Sequence, residues 1–255
     1  MINKTMKVFI INLKESTDRR QYMIEEMKKT NLQYEFFDAV NGKDIQNIED
    51  VYDHDYAVTK AGGSLNLGEI GCCMSHLLIY KKMFDENIER ALILEDDIII
   101  SEKIDEIIKE ILEFNLQNSV ILLGQSSKKL KKKIYKTKLD PLYTLSKIFN
   151  SACGTYGYII DNKAAERLYD FNYPVKYAAD MWHIFWRFIN IYIVEPYLID
   201  YKRDECSVID SYSKRTTYGS KKTAHSIFYI FFRKSISLCK KIFWFLRDCI
   251  YRVLP

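Results

Sequence analysis

Glycine and proline are scarce in this chain, at 9 and 4 of 255 residues. Hydrophobic residues make up 48% and charged residues 28%, so disorder over most of the length is excluded and a packed core is affordable. The length suits one large domain or two small ones. The six cysteines (Cys72, Cys73, Cys153, Cys206, Cys239 and Cys249) include no CxxC, and no apolar signal segment precedes them. They read as reduced thiols of a cytosolic protein. No Cys/His cluster has ligand spacing, which argues against zinc. No apolar run approaches the roughly 20 residues that a bilayer-spanning helix needs. There is no internal repeat, and no interdomain linker precedes residue 215.

A strong charge of one sign is also missing from most of the chain. The formal net charge is +4, but residues 226–255 carry Arg233, Lys234, Lys240, Lys241, Arg247 and Arg252 against Asp248 alone. The body is therefore near neutral and the tail cationic. This argues against nucleic acid as a partner of the body and for an anionic partner of the tail. Within the tail, Ile227–Phe232 and Ile242–Leu246 are apolar, aromatic blocks interrupted by the basic residues. That pattern predicts an amphipathic helix lying in a membrane interface.

The most informative stretch present is Ala91–Ile100, in which four apolar residues run into Glu95-Asp96-Asp97 and three isoleucines follow. The apolar runs predict a buried strand. Removing even one ion from water costs several kcal/mol, as an order of magnitude, unless it is paired, so three adjacent carboxylates at a strand end need compensation. Hard oxygen donors suit magnesium or manganese. Strand alternation would put Glu95 and Asp97 on one face and Asp96 on the other. The competing reading is a solvated strand end.

Lys7–Leu13 predicts a first strand, Ser16 or Thr17 a cap for a helix to about Lys29, and Gln33–Val40 a second strand closed by Asn41-Gly42. This is a βαβ unit, and in such sheets ligands sit beyond the carboxyl ends of the strands. That edge would hold Asn12, Leu13, Lys14, Arg19 and Arg20, with Val40 and Gly42 beside them. A guanidinium fork matches phosphate oxygens, although either arginine alone reads as solvated. Residues 44–63 predict a long loop or short irregular helices. Asn66 and Glu69 form a capping box for a helix over about Leu67–Glu86, on which Gly71 and Ser75 make a notch for a close strand or ligand. His76, beside the notch, reads first as a satisfied core histidine. A helix over about 101–114 and a strand at Val120–Gly124 follow. Seven lysines between Ser126 and Lys138 predict an extended, mobile loop. Gly154–Ile160 predicts a strand, Asp161 or Asn162 a helix cap, 175–188 a helical stretch and Asn190–Val194 a last strand. Alternating strands and helices indicate an α/β domain.

Together these pieces resemble glycosyltransferase family 25. The pieces are Phe9–Leu13 with Arg19-Arg20, Asp38–Gly42, Leu67–Cys72 with Ser75-His76, Ile93–Asp97, Gly154-Thr155 with Tyr158–Ile160, Asp180, and Glu195-Pro196. They stand in family order over about residues 7–210. Ala178-Ala179-Asp180 departs from the Pro-Val-Asp often found in the family.

The resemblance implies a GT-A-type single domain over residues 1–215, built on a mostly parallel central sheet, with residues 216–255 as an amphipathic membrane-surface tail. It implies an inverting transfer of a hexose, galactose from UDP-galactose, onto a lipid-linked bacterial lipopolysaccharide or lipooligosaccharide. That places the protein in the cytoplasm, peripheral on the inner membrane. By analogy Asp97 binds a divalent metal (Mn2+ or Mg2+), with Glu95 or Asp96 on the metal or the donor ribose. Asn12, Leu13, Arg19, Arg20, Val40, Gly42 and His76 fall on the donor side, and Asp180 becomes the candidate base. UDP-glucose as donor, a metal-dependent phosphotransferase or nuclease, and a non-catalytic nucleotide or glycan binder are the rival readings.

Overall fold

A computed structural model describes residues 6–124, 133–149 and 152–201. The elements run β1 (Lys7–Asn12), α1 (Thr17–Met27), β2 (Glu35–Asp38), α2 (Ile48–Val51), α3 (His54–Tyr56), α4 (Leu67–Asp85), β3 (Arg90–Leu94), β4 (Ile98–Ile100) and α5 (Ile104–Glu113). They continue with β5 (Ser119–Leu122), β6 (Lys133–Lys138), β7 (Thr144–Ile148), β8 (Gly157–Asp161), α6 (Asn162–Asn172), α7 (Trp182–Phe185), β9 (Asn190–Glu195) and β10 (Ile199–Tyr201). No helix among the described residues is long and apolar enough to cross a membrane. The lysines from 128 to 132, the boundary expected near 215 and the basic tail lie outside the described residues.

The central sheet has the order β2-β1-β3-β8-β5-β9-β7-β6. Strands β2, β1, β3, β5, β9 and β6 run one way, and β8 and β7 run against them. This is the expected mostly parallel α/β sheet. Alternation along the strands feeds two apolar layers. Phe9, Ala91 and Ile93 join the layer under α4, α6 and α7. Val8, Ile10, Leu92 and Leu94 join the one under α1 and α5. All five residues of β3 and of β8 are buried, as strands covered on both faces should be.

The register fixes the ligand edge. Asn12 pairs with Asp38 and Ile10 with Leu94 in parallel, so β1, β2 and β3 end together. Strand β8 enters antiparallel, with Gly157 opposite Leu94, so the residues just before it arrive where β3 leaves.

Three expectations need correction. The acids do not continue a strand: β3 stops at Leu94, Glu95–Asp97 turn, and β4 leaves the main sheet to pair with β10. Three like charges diverge in a turn, whereas a strand would hold them at fixed alternation. Second, the end of the lysine-rich segment is a strand, because Lys133–Lys138 pairs antiparallel with β7 at the sheet edge. Its exposed Lys136 and Lys138 suit an edge, where charge deters further pairing. Third, only Trp182–Phe185 of 175–188 is helical. The Val175 N–H donates to Val51 O at 2.7 Å, and the Lys176 and Tyr177 N–H groups donate to the Asn172 side chain, so those donors are taken from a helix.

Candidate active site

One cleft opens at the carboxyl ends of β1, β2 and β3. It is lined by Leu13, Ser16 and Arg19 from the first βα connection, by Ala39–Gly42 after β2, by Gly68, Cys72, Ser75 and His76 of α4, and by Glu95–Asp97. Local sequence positions each wall. The capping box of α4 is complete: the Glu69 N–H donates to Asn66 Oδ1, and the Asn66 N–H donates to Glu69 Oε2. The notch on that helix takes backbone. The Val40 N–H donates to Ser75 Oγ at 2.9 Å, and Ser75 Oγ donates to Gly71 O at 2.8 Å. A Cβ on Gly71 would sit 2.5 Å from Val40 O, and one on Gly42 would sit 1.8 Å from Leu67 O. Glycine is what allows the 40–42 segment to lie on the helix.

The acids are held individually. Arg19 Nη1 donates to Asp96 at 2.9 Å and to Asp97 at 3.2 Å. Buried Asn12 donates through Nδ2 to Asp96 Oδ2 at 2.8 Å and to Ser16 O at 3.2 Å. Glu95 accepts a hydrogen bond from Thr155 Oγ1. Thus Asp96 and Asp97 share a partner in Arg19. Burial first, and the charge of Asp97 second, push the Glu95 carboxyl up to about 8, against the lowering effect of Thr155.

His76 is 1% exposed, and burial pushes its imidazole down to about 3. Its Nδ1 lies 2.7 Å from Tyr158 Oη, which is 2.6 Å from Tyr80 Oη. It is a core histidine and also part of the cleft lining. Arg20 is not brought to the cleft: its guanidinium lies 4.0 Å above the Phe36 ring, because the helix turns it toward β2. Lys14 pairs with Asp38 at 3.1 Å on the exposed rim.

Asp180 stands outside the lining but belongs to the same neighbourhood. It accepts from the Gly154 N–H at 3.1 Å, one residue before Thr155, and its charge raises the Glu95 and Cys72 groups. Trp182 lies in the core beside this segment. It is 1% exposed, donates to Gly154 O at 2.8 Å and packs on Tyr158. Sequence reasoning missed Thr155 and Cys72 as site residues. The signal for Cys72 was its i,i+4 spacing to His76; Thr155 had only its place beside Gly154.

The residues fit a hard divalent ion. Three carboxylates line the same cleft, the like charges of Asp97 and Asp96 press on Glu95, and the buried Asn12 Oδ1 has no hydrogen-bond partner among the described residues. All are oxygen donors.

Residues 5–183 match the family described as "Glycosyltransferase family 25 (LPS biosynthesis protein)", and the chain belongs to that family. It is 30% identical over 178 residues to the putative glycosyltransferase R655 of Acanthamoeba polyphaga mimivirus, covering 66% of this chain and 53% of that one. It is 27% identical over 171 residues to the lipooligosaccharide biosynthesis protein lic2B of Haemophilus influenzae, covering 63% and 61%. Against procollagen galactosyltransferase 2 of Homo sapiens it is 27% identical over 178 residues, covering 64% and 27%. The chain spans less than two thirds of the length of each of these relatives.

Proposed function

We propose that the protein is an inverting glycosyltransferase that moves galactose from UDP-galactose to a hydroxyl of a lipid-linked bacterial glycan, working in the cytoplasm on the inner-membrane surface. The observation that carries this reading is the convergence of Glu95, Asp96, Asp97 and Arg19 in one cleft at the carboxyl edge of β1, β2 and β3, where α/β sheets bind nucleotides. Family membership supports the reaction class. The names of lic2B and procollagen galactosyltransferase 2 support a cell-envelope glycan and galactose.

Glu95, Asp96 and Asp97 would hold Mn2+ or Mg2+, with Asp97 as the principal ligand. A divalent ion bound there neutralises charge that gathers on a diphosphate leaving group. Arg19 offers a guanidinium on the same side for the phosphates, and Asn12 fixes the Asp96 carboxylate that orients it. Leu13, Val40 and Gly42 line the nucleotide's path, and the neutral His76 ring forms part of its floor. Asp180, oriented by the Gly154 N–H, serves as base. As the acceptor oxygen bonds to the anomeric carbon, the bond to the diphosphate breaks and the hydroxyl proton passes to Asp180. A single displacement inverts the centre and needs no covalent sugar–enzyme intermediate.

The test is nucleotide release by purified protein with manganese and a panel of nucleotide sugars. UDP-galactose turnover is expected. Preference for UDP-glucose would keep the class and change the sugar, and turnover of none, with glycan acceptors present, would overturn the reading. Asp97→Asn should lower turnover by about 100-fold or more with the fold intact, and near-normal turnover in that variant would remove the metal assignment.

A further inference from the structure

Cys72, His76 and Glu95 meet in one part of the cleft lining. Contrary to the expectation that no Cys/His cluster has ligand spacing, Cys72 and His76 stand four apart on α4 and so share a face, and Glu95 reaches them from the end of β3. One ligand atom from each lies within 4.8 Å of the other two. Cys72 and Glu95 are partly exposed to the cleft, whereas His76 is buried. Its Nε2 has no hydrogen-bond partner among the described residues. A buried polar atom left in that state costs free energy and calls for a partner. The other ring nitrogen is engaged by Tyr158, whose hydroxyl also meets Tyr80. When Nδ1–H donates to Tyr158 and Tyr158 donates to Tyr80, the lone pair rests on Nε2. A metal-binding histidine is commonly oriented by such a hydrogen bond at its second nitrogen.

We propose that Cys72, His76 and Glu95 form a cation site for a borderline-soft divalent ion of the zinc class, distinct in donor set from the oxygen site of Asp96 and Asp97. One sulfur, one nitrogen and one carboxylate fill three tetrahedral positions and leave the fourth to the cleft. Burial, and after it the charge of Glu95, keep the Cys72 thiol protonated in the free protein. Binding therefore forms the sulfur–metal bond, releases the thiol proton and, below about pH 8, the Glu95 proton as well to solvent, and involves no electron transfer. Glu95 would be drawn from the acidic turn when the triad is filled, so zinc inhibits transfer. That last consequence rests on the glycosyltransferase reading; the binding does not.

The experiment uses the full chain stripped with chelator and titrated with Co2+, the spectroscopic substitute for zinc. A thiolate-to-cobalt charge-transfer band should appear at one equivalent, vanish on adding zinc, and be absent in Cys72→Ser. Cys153→Ser and Asp97→Asn should keep it. Tyr158→Phe, which removes the hydroxyl orienting His76, should weaken cobalt binding about tenfold. In the unaltered protein, zinc should protect Cys72 from iodoacetamide, as mapped by mass spectrometry. A band that persists in Cys72→Ser, or equal alkylation of Cys72 with and without zinc, overturns the proposal. Failure to turn over any nucleotide sugar would leave the cobalt band in place, so the two readings fail separately.

Discussion

Arg19 donates a single guanidinium nitrogen to both Asp96 and Asp97, at 2.9 and 3.2 Å. One cation from the first helix therefore meets two of the three acids in the turn after β3. The side chains concerned are 18%, 13% and 25% exposed, which lies between a surface pair and a buried one. A stabilisation of about 1–2 kcal/mol follows. Arg19→Gln should lower the unfolding free energy of the metal-free protein by about that amount in urea titration. Saturating manganese should restore most of the loss, because a dication replaces the missing charge. Equal stability of the two proteins without metal, or a loss that manganese leaves untouched, would contradict this account.

Glu95 sets a pH dependence whose sign can be worked out. Its carboxyl is raised from 4.5 to about 8 in the folded chain, mainly by burial, so the folded state keeps a proton that the unfolded chain releases. This contribution is complete below about 4.5 and is lost as pH rises to 8. His76 acts oppositely: its pKa falls from 6.5 to about 3, so it destabilises only as pH falls below 6.5. Between pH 6.5 and 8 Glu95 is the one of the two that matters. Metal-free stability should fall by about 1.5–2 kcal/mol across that window, and Glu95→Gln should flatten the slope. The same slope in both proteins would show that Glu95 is ionised throughout.

The notch on α4 is a packing device with a functional consequence. A methyl group at residue 71 would press on Val40 O at 2.5 Å and Gly42 N at 2.7 Å, both backbone atoms. Gly71→Ala must therefore push the 40–42 segment off the helix. We expect destabilisation of about 1–3 kcal/mol and weaker binding of UDP to the cleft. Thermal unfolding and calorimetric titration measure the two effects. A variant that melts and binds as the unaltered protein does would mean that the segment yields freely.

What was legible in the sequence was local. The βαβ unit, the Asn66–Glu69 box, the Gly71/Ser75 notch and the Asp161 cap each depend on residues a few positions apart, and each stands where expected. Contacts across the chain were not legible. The pairing of Arg19 with the acids, Asn12 with Asp96 and Thr155 with Glu95 arises from the register of β1, β3 and β8, which no local pattern specifies. Strand β7 was missed, and its partner β6 was hidden by lysines that signal solvation equally well in a loop and on a sheet edge. Arg20 matched the family as well as Arg19 did, but one residue along a helix turns a side chain by about 100° and sends it to Phe36.

The last prediction concerns residues 226–255, which lie outside the described residues and are argued from sequence alone. Ile227–Phe232 and Ile242–Leu246 alternate with Arg233-Lys234, Lys240-Lys241, Arg247 and Arg252. The apolar blocks are too short to span a bilayer at roughly 20 residues, but aromatic and basic residues together favour its interface. Each basic residue near an anionic leaflet contributes about 1 kcal/mol, so six of them outweigh the single Asp248. A lipid-linked acceptor would be confined to that same surface. Removing residues 226–255 should abolish co-sedimentation with anionic liposomes and leave turnover of a soluble acceptor analogue intact, and added salt should weaken binding of the full chain. If the shortened protein sedimented with the liposomes as the full chain does, the membrane contact would have to lie elsewhere. If it bound no lipid and also lost turnover, the segment would be part of the catalytic fold.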